Sequence, residues 1–251
     1  YELGASDYVN RPLMQDRIPA CVQYHQALCE AEKASVTGKD QIYENEKNNQ
    51  MMIRILSHIV EFRNGESGKH VLHINVLTGF FSKARAYIDK YYISGDEQYL
   101  ITTASALHDI GKIGIDEKIL NKPGRLTKEE FEIMKQHTVI GEDMLKHLEF
   151  YQDEELVRYA REICRWHHER YDGRGYPDGL KGDEIPIGAG GCLADVYDAL
   201  TSERVYKPAY SHDVAMEMIL NGECGQFNPL LLECLKQIAG EIRFSLEVAE
   251  Q

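Results

Sequence analysis

Histidines and carboxylates recur along this chain in positions that suit metal chemistry. Glu66 precedes His70 by four residues, which on a helix puts both side chains on one face, one turn apart. His108 and Asp109 are adjacent and are followed by Gly111 and Lys112. His137 stands in a helical pattern, and His167-His168 close another. Asp195 lies in the apolar stretch Leu-Ala-Asp-Val-Tyr-Asp-Ala-Leu. A carboxylate there needs a cation or hydrogen bonds, because burying it alone is costly. Asp198, one turn later, reads as a helix-stabilising or supporting carboxylate. His25, His58, His73, His147 and His212 read as surface or capping residues.

Imidazole nitrogen and carboxylate oxygen without thiolate suit iron, manganese, zinc or similar divalent ions. A carboxylate next to a histidine can bridge two ions while the histidine binds one. Such ions can clamp a phosphate and lower the pKa of a bridging water to about 7. That chemistry needs no side-chain nucleophile, and no serine or cysteine nucleophile motif is present.

The elements that must position these residues are helical. Met51 to Phe62 is an apolar stripe at helix spacing, and Val71 to Ile88 continues in that style. Thr127 and Glu130 form a capping-box signature ahead of a helix to about His147. Further amphipathic helices are expected over Asp153–Trp166, Asp213–Leu220 and Leu230–Phe244. Ile115–Leu126 reads as irregular, and Asp172–Gly191, rich in glycine and proline, as a long functional loop. Residues 31–50 read as a solvated helix or linker, and only the first dozen residues hint at a strand. The fold class is all-α, a helix bundle.

Composition narrows the partners. The 251 residues carry a net charge of −13, which argues against DNA or any long polyanion but leaves a small anion that metal ions would hold. No apolar run is long enough to span a bilayer, and no signal-peptide pattern opens the chain. Six cysteines without a Cys-x-x-Cys pair point to reduced thiols and a cytoplasmic protein. With no initiator Met, the chain is expected to be a fragment of a longer protein.

The ordered set of motifs resembles the HD-GYP subset of the HD phosphohydrolase superfamily. The blocks are Glu66-Ser-Gly-Lys-His70, His108-Asp-Ile-Gly-Lys-Ile-Gly114, Lys122-Pro-Gly, His137 with Gly141, and His167-His-Glu-Arg-Tyr-Asp-Gly-Arg-Gly-Tyr-Pro177. Ile185-Pro186, Asp195 to Lys207 and Phe227-Asn-Pro229 follow. The resemblance implies an HD-type helical bundle with metals in its core, over 61–251. It implies hydrolysis of cyclic di-GMP to pGpG and sometimes on to GMP; cyclic GMP-AMP is the rival substrate, and a catalytically inactive module the rival class.

Metal ligands are implied at His70, His108, Asp109, His137, His167, His168 and Asp195, with Glu66 able to hold a third ion beside the usual two. Iron or manganese is the first expectation, with zinc, nickel and cobalt also fitting. Lys112 is implied to approach the scissile phosphate, and Arg204 and Lys207 to contact phosphates or bases. Gly175, Tyr176 and Pro177 match the signature loop, which the resemblance implies shapes the site rim and offers a surface to a diguanylate cyclase or an adaptor. Residues 1–30 resemble the end of a response-regulator receiver, and 31–60 would be a helical linker able to pair in a homodimer. Two departures stand out. The spacing from His168 to Asp195 is one residue short of the family's, through a glycine-rich stretch that would weaken a helix start. Asn228 stands where an Asp is commoner.

Overall fold

The computed structural model describes residues 44–63, 69–202 and 208–249. The expected receiver remnant, the hint of a strand and most of the linker lie outside them. Residues 52–251 form one compact unit. Among the described residues there is no strand, only an isolated bridge between Asp172 and Lys181.

Ten helices carry the described chain: α1 (44–62), α2 (Lys69–Lys83), α3 (Arg85–Tyr91), α4 (Gly95–Ser105), α5 (Glu117–Leu120), α6 (Lys128–Lys146), α7 (Glu155–Trp166), α8 (Cys192–Thr201), α9 (His212–Leu220) and α10 (Pro229–Ala249). The expected α6 begins as read: Thr127 Oγ1 accepts from Glu130 N, and the Glu130 carboxylate accepts from Thr127 N. α10 starts from Asn228, whose Oδ1 accepts from Leu230 N at 2.9 Å with Pro229 at the first helical position. Asn therefore does the capping that Asp would do.

Three expectations need correction. The helix read from Val71 to Ile88 breaks at Ala84, whose backbone is extended (φ −64°, ψ 125°). A short α5 interrupts the segment read as irregular. α4 is not among the expected helices; its apolar residues do not follow helix spacing, and only the capping box of Ser94 and Glu97 marks its start.

α2 is the hub. It packs on α4, α8 and α10, and Val71, Ile74, Leu77 and Phe81 enter the core. It also buries the polar His70, His73, Asn75, Thr78 and Ser82, so each needs a partner inside the protein. Asn75 receives Arg54 at 2.5 Å and donates to Thr102 O; Ser82 donates to Gly79 O.

The tightest approach is between α6 and the 3₁₀ turn Ile110–Gly114 that follows Asp109. A Cβ on Gly111 would stand 1.9 Å from His137 O and 2.5 Å from Gly141 N. Only hydrogen fits there, and the absence of a side chain lets Asp109 sit beside His137. Gly111→Ala should therefore cost about 1–3 kcal/mol or more, the scale of overpacking. Gly95→Ala, whose Cβ would meet nothing within 4 Å, should be neutral or slightly stabilising. Urea unfolding of both variants in chelator checks the contrast.

Candidate metal centre

Three helices and one turn bring the histidines together. His70 comes from the first turn of α2 and His137 from the middle of α6, while His167 and His168 directly follow α7 and His108-Asp109 leads into the 3₁₀ turn. Their side chains form two close sets. One holds Asp109, His137, His167 and His168; the other holds His70, His108 and Asp109. Asp109 belongs to both, and within each set the donor atoms all lie within 4.8 Å of one another.

Hydrogen bonds on the outer ring nitrogens fix how the imidazoles point. His108 Nδ1 lies 3.0 Å from Ser105 O, His137 Nδ1 2.7 Å from Met134 O and His167 Nδ1 2.9 Å from Ile163 O. A carbonyl only accepts, so each Nδ1 carries a proton and each Nε2 faces inward, as a lone pair on His137 and His167, whose pKa burial lowers. His70 is held by a carboxylate instead, its Nδ1 2.6 Å from Asp198 Oδ2.

The inward atoms are close. His70 and His108 bring their Nε2 atoms to 3.3 Å, and so do His137 and His167. Asp109 Oδ1 stands 3.3 Å from His137 Nε2 and 3.8 Å from His167 Nε2, and Oδ2 stands 3.2 Å from His108 Nε2. Oδ1 is buried and has no hydrogen-bond partner among the described residues. Converging lone pairs around an unpartnered buried carboxylate oxygen are what a cation satisfies, and the N/O donor set fits a divalent metal.

The electrostatics of these side chains point the same way. Burial alone would raise the Asp109 pKa, but Lys112, 2.7 Å from Oδ2, and His108 hold it well below the usual carboxylate range. Burial lowers the His168 pKa to about 4 and holds His167 well below its ordinary value. His70 resists burial: Asp198, Asp195 and Glu61 raise it to about 9.

Asp195 lies in the first turn of α8, with Oδ1 3.7 Å from His70 Nε2. It stands beside the cluster but outside both close sets. The glycine run before it forms a separate 3₁₀ turn, Ile187–Gly191, and α8 starts afterwards at Cys192. The expected helix-start penalty therefore does not fall on α8.

The signature loop packs behind His168. The Tyr176 ring stacks on the His168 imidazole at 4.7 Å and 29°. A Cβ on Gly175 would strike Arg170 N and Glu169 Cα, both at 2.4 Å. Glu169, itself buried, ties the loop by accepting from Asp178 N and Gly179 N. Glu66, Arg204 and Lys207 lie outside the described residues.

Two residues near the site went unread in sequence. His73 is not a surface residue but buried, its Nδ1 2.5 Å from Asp198 Oδ1; its place one turn after His70 was the available signal. Glu61, 1% exposed on α1, brings Oε1 to 3.9 Å of His70 Nε2. It sits in a helix whose apolar stripe gives no hint of an inward carboxylate.

A family model described as HD domain matches residues 9–229. A probable cyclic di-GMP phosphodiesterase of Vibrio cholerae serotype O1 is 35% identical over 246 residues, covering 93% of this chain and 56% of the relative. A cyclic di-GMP phosphodiesterase of the same organism is 41% identical over 182 residues, covering 71% of this chain and 37% of the relative. This chain thus spans about half, or less, of the curated relatives' length. The crystal structure of a cyclic GMP-AMP specific phosphodiesterase from Vibrio cholerae aligns with a TM-score of 0.54 at 17% identity, over 80% of this chain and 52% of that one, and shows a shared fold.

Two tests follow. In chelator, the raised pKa of His70 contributes stability that is present below about 6.5 and lost as pH rises toward about 9. The lowered pKa of His168 acts in the other direction, removing stability as pH falls from 6.5 toward about 4. Metal-free stability should peak near neutral to slightly acid pH, read by denaturant unfolding across pH 4–9. Asp198→Asn, which takes the anion from behind His70, should weaken metal binding roughly 10–100-fold in a chelator competition.

Proposed function

We propose that this chain, which belongs to the HD-domain family, hydrolyses the phosphodiester bonds of cyclic di-GMP to pGpG. The observation that carries the reading is Asp109, the carboxylate common to both His/Asp sets. Asp109 would help to hold both ions, and two ions close together would suit in-line displacement at phosphorus. The substrate class is supported by relatives named for cyclic di-GMP.

His137, His167, His168 and Asp109 would hold one ion, and His70, His108 and Asp109 a second with Asp195 beside it. Glu66 would hold a third. Iron or manganese is preferred, and zinc, nickel or cobalt fit the same donors. When bound, the ions supply Lewis-acid stabilisation of the phosphate and an acidified water.

The chain's own residues do the rest. The carbonyls behind His108, His137 and His167 fix each ring's tautomer, and Asp198 fixes His70. The Lys112 ammonium stands at the edge of the cluster on Asp109, where it would meet a departing oxygen. Arg204 and Lys207 would hold the second phosphate or the bases, and the Gly175–Pro177 loop would shape the rim. In the cell this reading places the chain in the cytoplasm, downstream of a receiver. A homodimer would pair α1 through Met52, Ile55, Leu56, Ile59 and Phe62, each about half exposed or more.

A rival substrate, cyclic GMP-AMP, is favoured by a Vibrio cholerae relative named a 3'3'-cGAMP-specific phosphodiesterase, 36% identical over 181 residues. A silent binding module is favoured by Asp195 standing outside both close sets. One experiment separates the three. The chain is reconstituted anaerobically with iron or manganese, its ions are counted and both dinucleotides are assayed. We expect two or three ions per chain and cyclic di-GMP turnover, with kcat in Asp109→Ala reduced roughly 10²–10⁴-fold. Turnover of cyclic GMP-AMP alone would replace the substrate, and no bound ion would sink the enzyme.

A further inference from the structure

Just past the end of α1, Arg63 reaches across to the turn that carries Lys112. One guanidinium nitrogen donates to Lys112 O at 3.2 Å and Ile113 O at 2.5 Å, and the other donates to Ile115 O at 3.0 Å. Arg63 is itself tied down, because Asn121 Nδ2 donates to its carbonyl at 3.0 Å. The three accepting carbonyls lie at the C-terminal end of the 3₁₀ turn Ile110–Gly114 and just past it at Ile115; Lys112 O also accepts from Ile115 N, and Arg63 extends this pattern to the oxygens beyond. A planar cation with several donors suits such an end in both charge and geometry.

The same turn is pressed from the other side. Gly111 rests against His137 O and Gly141 with no room for a Cβ, and Gly114 packs on Ile140. The backbone that carries Lys112 is thus gripped between α6 and Arg63. Lysine has a long flexible stem, so its ammonium is placed only as well as its Cα is. Here that ammonium reaches Asp109 Oδ2 at 2.7 Å, at the rim of the metal cluster.

We infer that Arg63 is a positioning residue for Lys112, which makes the end of α1 part of the catalytic apparatus. The inference rests on the reading above, in which Lys112 serves the leaving group. As a water oxygen bonds to phosphorus, the bond from phosphorus to the ribose oxygen breaks. The departing oxygen takes a proton from the Lys112 ammonium, which solvent then restores, while the attacking water gives up its proton to solvent. A ribose alkoxide is a poor leaving group and needs that proton; p-nitrophenolate is a stable anion and hardly does. Misplacing Lys112 should therefore cost the natural ester more than the activated one.

The test compares wild type, Arg63→Ala and Arg63→Lys as the full metal-loaded chain. We expect equal ions per chain, little change in KM, and kcat on the cyclic dinucleotide lowered roughly 10–100-fold in Arg63→Ala, the scale of an ångström's misplacement. The fall on bis(p-nitrophenyl) phosphate should be several-fold smaller. Arg63→Lys should recover part of the loss, and added methylguanidinium should rescue Arg63→Ala. Amide exchange at 112–115 should speed up in Arg63→Ala. Equal losses on both esters, an unchanged kcat on the dinucleotide or a loss of ions would overturn the inference. If wild type cleaves no cyclic dinucleotide, the functional reading fails instead. Amide exchange still judges the clamp, and unchanged exchange at 112–115 would overturn it.

Discussion

Everything in this protein is arranged around a buried excess of lone pairs. The imidazoles of His108, His137 and His167 give their outer nitrogens to backbone carbonyls and turn their inner ones toward Asp109. In a dry interior such a group of acceptors is unfavourable without positive charge among them. The metal-free chain meets the demand unevenly, with a proton held on His70 to about pH 9 and His168 left neutral down to about pH 4. A divalent cation satisfies the same groups at once. Metal binding and stability of this core are therefore one problem, and the ordinary hydrophobic contacts of the bundle are the scaffold on which it is solved.

That constraint explains where the fold spends its close contacts. Asp109 can approach His137 only because Gly111 and Gly141 leave the turn and α6 in backbone contact. His70 keeps its direction because Asp198, from α8, takes its outer nitrogen together with that of His73. His168 is backed by the Tyr176 ring, and the loop bearing Tyr176 is tied down by the Glu169 carboxylate. In each case a residue of no evident chemistry fixes one that has it. Arg63 belongs to the same class, since its guanidinium donates to backbone oxygens of the segment that carries Lys112.

Much of this is legible in the sequence. The start of α6 was readable from Thr127 and Glu130, because a capping box is a local hydrogen-bond pattern written in four residues. The order of histidines and aspartates was readable as a metal constellation, because donor chemistry is a property of the side chain itself. Less local features were not. The break at Ala84 has no Gly or Pro to announce it, and α4 has no helical apolar stripe. His73 and Glu61 look like ordinary helix residues until their surroundings are known.

The division follows from the range of each interaction. By itself the sequence determined the fold class, the starts of α2, α6, α7, α9 and α10 to within about two residues, the donor types and the kind of ion they suit, all of which depend on neighbouring residues or on intrinsic chemistry. Only the tertiary structure decided that His70 meets Asp198 across 128 positions. It alone decided that Asp109 is shared by two sets, that Arg63 grips the turn of Lys112, and that Asp195 stands beside the cluster rather than within it. Those outcomes turn on ångström-scale approach between helices distant in the chain, which core packing fixes and no local pattern records.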